Sequence, residues 1–102
     1  MGELSVDHFL FLSAALFIVG MMGVLIRRNL LIIFMCVELM VTAANVSLVA
    51  FAWELNSLQG QGFVIFTVAV AAAEAAVGLA IVLALSRRVS TVDVDEIRTL
   101  RD

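Results

Sequence analysis

Polar side chains are so sparse along this chain that residues 9–26, 30–52 and 63–85 read as nearly continuous apolar runs. A helix needs ~20 mostly apolar residues to cross the hydrocarbon core of a bilayer. Each run therefore predicts one membrane-spanning helix. The first contains only Ser13 as a polar side chain and ends at Arg27, Arg28 and Asn29. The second is interrupted by Glu38, Thr42, Asn45 and Ser47. The third is interrupted by Thr67 and Glu74 and ends at Ser86, Arg87 and Arg88. Residues 53–62 carry Glu54, Asn56, Gln59, Gln61 and two glycines, which read as a turn in water with no room for a fourth span. Trp53 sits where an interfacial aromatic anchor is expected.

The fold class that follows is all-α: an integral membrane three-helix protein forming one domain over residues 1–102, with a polar tail at 86–102. Composition agrees, since 64% of the residues are hydrophobic, against ~45–50% in soluble domains. The arginines set the orientation. Arg27 and Arg28 follow the first span, Arg87 and Arg88 follow the third, and neither residues 1–8 nor the second connection has Lys or Arg. By the positive-inside rule the first connection and the C-terminus face the cytoplasm, and the N-terminus faces outside. Glu3 and Asp7 give the N-terminus the wrong charge for a signal peptide. Val6 stands where a myristoylation motif requires Ser or Thr.

Glu38 and Glu74 change the picture from anchor to machine. At ~1.5 Å per residue, Glu38 lies ~12 Å inside one end of the second span and Glu74 ~17 Å inside the opposite end of the third. Because these helices run antiparallel, both acids fall near mid-depth. An acid at the centre of a span costs ~2.5–3.5 kcal/mol on insertion scales, and no cation within any span can pair with either. Intramembrane acids of this kind mark proton or ion pathways, although a neutral carboxyl bonded to a neighbouring helix would also be tolerated. A carboxyl that is neutral at rest can still pass a proton on. Thr42 and Asn45 follow Glu38 at i+4 and i+7, so the three share one helical stripe. Thr67, Ala71, Glu74 and Gly78 likewise share a face, within a run of alanines that permits close helix packing.

Other chemistry is excluded or weak. The net charge of −3 includes no basic patch, so nucleic acid is not an expected partner. The single Cys36 cannot form an internal disulfide and reads as small apolar filler. His8 reads as a solvated end residue, and Gly20 and Gly23 as contact points for a neighbouring helix. Asp93, Asp95 and Glu96 read as a solvated face of the tail. No phosphate loop, activated nucleophile or metal-ligand cluster occurs, so no covalent catalysis by this chain alone is expected.

The stretch RRNLLIIFMCVELMVTAANVSLVAF (27–51) resembles the subunit K family of the proton-pumping NADH:quinone oxidoreductase, respiratory complex I. So do GQGFVIFTVAVAAAEAAVGLAIVLAL (60–85) and VDVDEI (92–97). The resemblance covers most of the chain from Gly20 onward. It implies that the glutamates of the second and third spans, here Glu38 in VELM and Glu74 in AAAEAAVG, serve proton translocation. It also implies that Arg27 and Arg28 form the basic cytoplasmic loop. This chain would carry no cofactor. NADH, flavin, iron–sulfur clusters and quinone would belong to other subunits of the complex. The implied partners are the lipid bilayer and the membrane subunits A, J and the antiporter-like N, in a bacterial plasma (inner) membrane or an organelle inner membrane. Two positions depart from the family pattern: Thr42 stands where Asn is usual, and Gly62 where a larger apolar residue is.

Rival readings remain open at this level. A small subunit of a multisubunit cation/proton antiporter has the same three-helix plan. A passive membrane scaffold subunit is the alternative from another class. A rotary ring subunit, with two spans and one carboxylate, and a four-span multidrug exporter fit less well.

Overall fold

A computed structural model describes residues 5–88 as three helices: α1 (Val6–Ile26), α2 (Leu30–Glu54) and α3 (Leu58–Arg88). All three are long and apolar enough to cross a membrane. Most of the tail, with Asp93, Asp95, Glu96 and the VDVDEI segment, lies outside the described residues; Ser86, Arg87 and Arg88 belong to the last turn of α3.

The helix ends follow local chemistry that runs past the apolar stretches. At the start of α1, the Ser5 backbone N–H donates to Nδ1 of His8 at 3.1 Å, tying down the first turn. Asn29 caps α2, its Oδ1 accepting from the N–H groups of Leu31 (2.9 Å) and Ile32 (3.3 Å). These bonds satisfy donors that a helix start otherwise leaves open.

The second connection differs from expectation. Residues 53–62 were expected to form a turn, but only Leu55, Asn56 and Ser57 lie outside the helices. Asn56 adopts the left-handed conformation (φ 51°), in which its N–H reaches Trp53 O while the Ser57 N–H reaches Ala52 O, both at 3.1 Å. This pair of bonds is the glycine-type helix terminator, here built on Asn. Ser57 then starts α3 at once: its Oγ accepts from the Gly60 N–H at 2.9 Å. The glutamines and glycines of residues 59–62 signalled water, but water at a helix end does not require a loop when both caps are present.

α2 is the central element, and α1 and α3 both pack on it. The packing is the reverse of a water-soluble core. The buried side chains are small or β-branched (Ser13, Ala43, Ala50, Ala52, Val64 and Val82), while Phe11 is 79% and Leu25 76% exposed. Without a hydrophobic force between helices in lipid, close backbone approach is what remains. The glycines sit at those approaches. A Cβ at Gly20 would lie 2.7 Å from Met40 Cγ, and one at Gly23 would collide with the Cys36 sulfur. Gly78 of α3 receives the Phe34 ring of α2 in the same way. Gly20 and Gly23 are thus helix contact points, as expected, and Cys36 is the filler between helices. At the end remote from the arginines, Phe9 and Trp53 meet edge to face at 6.4 Å.

These contacts fix the register between α2 and α3. Phe34 lies against Gly78, and Ala52 lies beside Gly60. Four residues on from Phe34 is Glu38, and four residues back from Gly78 is Glu74. Fourteen residues back from Ala52 and fourteen on from Gly60 lead to the same pair. In antiparallel helices of equal rise, the two glutamates are therefore level.

Candidate functional site

Between α1 and α3, across one face of α2, lies a groove of about 660 Å³. Phe9 and Leu12 of α1 form one wall, and Val68, Ala71, Ala72 and Ala75 of α3 form the other. Glu38, Thr42 and Asn45 lie along its floor with Val46, Val49, Ala50 and Trp53. The stripe read from the sequence is thus gathered in one place. Glu38 and Asn45 are half-buried and Thr42 is exposed to the groove.

Among the described residues, the hydrogen bonding of this stripe is incomplete. Thr42 Oγ1 donates to the carbonyl of Glu38 at 2.9 Å. Its one proton is committed, so toward the groove it can only accept. Among the described residues, the Glu38 carboxyl and the Asn45 amide have no side-chain partner. The groove therefore offers a carboxyl, a hydroxyl acceptor and an amide along ~10 Å of otherwise apolar wall. Among the described residues, Glu38 is the one ionisable side chain lining it.

Glu74 is level with Glu38 but opens elsewhere. It does not line the groove and is exposed on the lateral surface of α3. Around α3, Glu74 lies ~60° from Ala71 and ~160° from Ala72 of the groove wall, so it sits beyond the edge of that wall. Its alanine neighbours at 72, 73 and 76 are exposed as well, so within this chain they do not cover it. Thr67 is half-buried, donates to Val64 O at 2.8 Å, and sits two turns from Glu74 without touching it. Arg27 and Arg28 are exposed in the first connection, at the same end of the antiparallel array as Arg87 and Arg88. Among the described residues, no three His, Cys, Asp or Glu side chains gather as a metal site.

One feature of the structure was not anticipated from the sequence. Ser13, 6% exposed, donates through Oγ to the carbonyl of Ala43, and its oxygen meets Ser47 Oγ at 2.6 Å. The signal available beforehand was a lone hydroxyl in an otherwise apolar run, facing a second one at Ser47.

The chain matches the family model of NADH-ubiquinone/plastoquinone oxidoreductase chain 4L over residues 8–102. It is 67% identical over 102 residues to NADH-quinone oxidoreductase subunit K of Thermomicrobium roseum, covering 100% of both chains. It is 52% identical to NADH-quinone oxidoreductase subunit K 2 of Koribacter versatilis, over 91% of this chain and 90% of that one. To NADH-quinone oxidoreductase subunit K of an Anaeromyxobacter species it is 50% identical, over 95% of this chain and 97% of that one.

Proposed function

Because this chain belongs to the family of NADH-ubiquinone/plastoquinone oxidoreductase chain 4L, that of subunit K of the NADH-quinone oxidoreductase, we propose that it carries protons laterally at mid-membrane, with Glu38 and Glu74 as the titrating groups. Family membership displaces the cation/proton antiporter alternative. The chain is a multi-pass subunit of a multisubunit enzyme complex, and other complex I subunits are its partners. Electron transfer from NADH to quinone, with its flavin and iron–sulfur chemistry, belongs in this reading to those other subunits, and the chain itself is non-redox.

The observation that carries the proposal is the level placement of the two carboxyls on different flanks of one helix pair. Each is open on its own side, and among the described residues neither has a side-chain partner. An unsatisfied carboxyl facing lipid is costly, so each flank is completed by a neighbouring subunit or by water held between subunits. Subunits A, J and N are the neighbours implied by the sequence resemblance. Two acids at one depth, facing two neighbours, suit transfer along the membrane plane from one subunit to the next. The whole chain acts as one membrane domain in a bacterial plasma membrane, with Arg27, Arg28 and the C-terminus on the cytoplasmic side.

Glu38→Gln in the assembled complex tests this. The amide keeps shape and much of the hydrogen bonding but cannot release a proton. Quinone-coupled turnover and proton pumping are expected to fall at least about tenfold, the effect of ~1.4 kcal/mol on a barrier, with assembly intact. Glu74→Gln is expected to impair pumping less, since Glu74 lacks the polar stripe that accompanies Glu38. Normal pumping with both acids neutralised would leave the chain a passive scaffold.

A further inference from the structure

We infer that Ser13 is a positioning residue: the Ser13–Ser47 hydroxyl pair sets the rotation of α2 on α1 and so aims Glu38, Thr42 and Asn45 into the groove. The inference rests on the relay role proposed for Glu38. Ser13 Oγ is buried and donates to Ala43 O. Since that uses its only proton, the short contact with Ser47 must run from Ser47 Oγ as donor to Ser13 Oγ as acceptor. Two directed bonds from one α1 side chain thus reach two points one turn apart on α2.

The position of these bonds gives them leverage over the polar stripe. Ala43 is fully buried, and Cys36, Met40, Ala43 and Ser47 follow one another at the i, i+4, i+7, i+11 spacing of a single helical face. That face meets α1 at Gly20, Gly23 and Ser13. Glu38 and Asn45 each lie two residues from a member of it, which is ~160° around the helix. Asn45 lies between Ala43 and Ser47 in sequence, so the hydroxyl pair is level with the upper half of the stripe. The glycine contacts set how closely α1 and α2 approach, but apolar contact has no preferred direction. Hydrogen bonds do, and this pair is the directed contact between the two helices that the structure records.

The test uses the whole complex in proteoliposomes, with the rate of proton pumping measured per assembled enzyme. Ser13→Ala removes both bonds, while the Ser47 hydroxyl can still turn back to Ala43 O, as serine commonly does within a helix. The fold therefore has no orphaned group to reject. Ser13→Ala is expected to lower pumping per assembled complex about two- to tenfold, the range that the net worth of a hydrogen bond corresponds to. Ser47→Ala, which leaves the Ser13–Ala43 bond, is expected to do less, and Ser13→Thr, which keeps the hydroxyl, to retain more than Ser13→Ala. Acting through Glu38, Ser13→Ala is expected to add nothing to Glu38→Gln, because coupled residues are non-additive. Unchanged pumping in Ser13→Ala, a larger loss in Ser47→Ala, or a drop explained wholly by less assembled complex would overturn the inference. An additive loss in the double variant would overturn it too. If Glu38→Gln alone pumps normally, it is the relay role that fails.

Discussion

At the scale of single residues, the proposed relay role of Glu38 ties proton transfer to one face of α2. Thr42 lies on the groove floor with Glu38, one turn away, whereas Met40 is packed against Gly20 of α1. Moving the acid as Glu38→Ala with Thr42→Glu shifts it ~6 Å along the same groove, a gap that mobile water can bridge. Moving it as Glu38→Ala with Met40→Glu forces a carboxyl into the α1–α2 seam. Proton pumping per assembled complex is expected to be greater for the acid at 42 than for the acid at 40. Equal pumping at the two positions would argue against a path tied to one face. The stripe of Glu38, Thr42 and Asn45 was legible in the sequence because helical periodicity alone places i, i+4 and i+7 together. The Ser13 bond was not legible, because periodicity says which residues of one helix share a face and nothing about what a neighbouring helix brings to it.

At the scale of elements, apolar run length located all three helices but missed where two of them begin. α3 starts at Leu58 rather than near Phe63 because Ser57 caps it, and α1 starts at Val6 because Ser5 and His8 bond across its first turn. Both are polar signals at positions where hydropathy alone predicts loop. Packing between elements depends on notches that hydropathy also passes over. Gly78→Val would drive a side chain into the Phe34 ring and push α3 off α2. Overpacking of this kind costs ~1–3 kcal/mol. The variant is expected to lower the thermal stability of the membrane arm, read by the temperature at which this subunit dissociates from the purified complex. Phe34→Ala in the same chain is expected to restore part of it. If Gly78→Val alone leaves that temperature unchanged, the notch is not what holds the pair.

At the scale of the whole molecule, two pairs of arginines at one end and an aromatic pair at the other give the three-helix array a polarity. With Cys36 replaced by Ala, a cysteine introduced at Ser57 is expected to react with a membrane-impermeant thiol reagent added from the non-cytoplasmic side only. One introduced at Ser90, beyond the described residues, is expected to react from the cytoplasmic side only. Reaction of both from the same side would end the three-span topology. The level placement of Glu38 and Glu74 was half legible in the sequence. Counting residues from each span end put both near mid-depth, but counting from ends carries the error of each boundary. The Phe34–Gly78 and Ala52–Gly60 contacts remove it by measuring one helix directly against the other. That the two acids open on different flanks could not be read beforehand, because it depends on which side of α3 meets α2.

The brevity of the joint at Leu55, Asn56 and Ser57 has a mechanical consequence. Three residues extend at most ~10 Å, close to the ~8–10 Å between the axes of packed helices. The joint has no slack, and its backbone is already held by the Trp53 and Ala52 carbonyls. α2 and α3 cannot come apart there. They can only splay like tongs from the arginine end, with Asn56 as the fulcrum. Glu38 lies ~24 Å down the α2 arm from Glu54, so a splay of about 5° displaces it sideways by roughly 2 Å relative to α3. That is comparable to the ~2 Å from hydrogen to acceptor in a hydrogen bond. A stroke too small to loosen the joint is thus large enough, under the proposed relay role, to make or break a proton-carrying contact at the level of the glutamates.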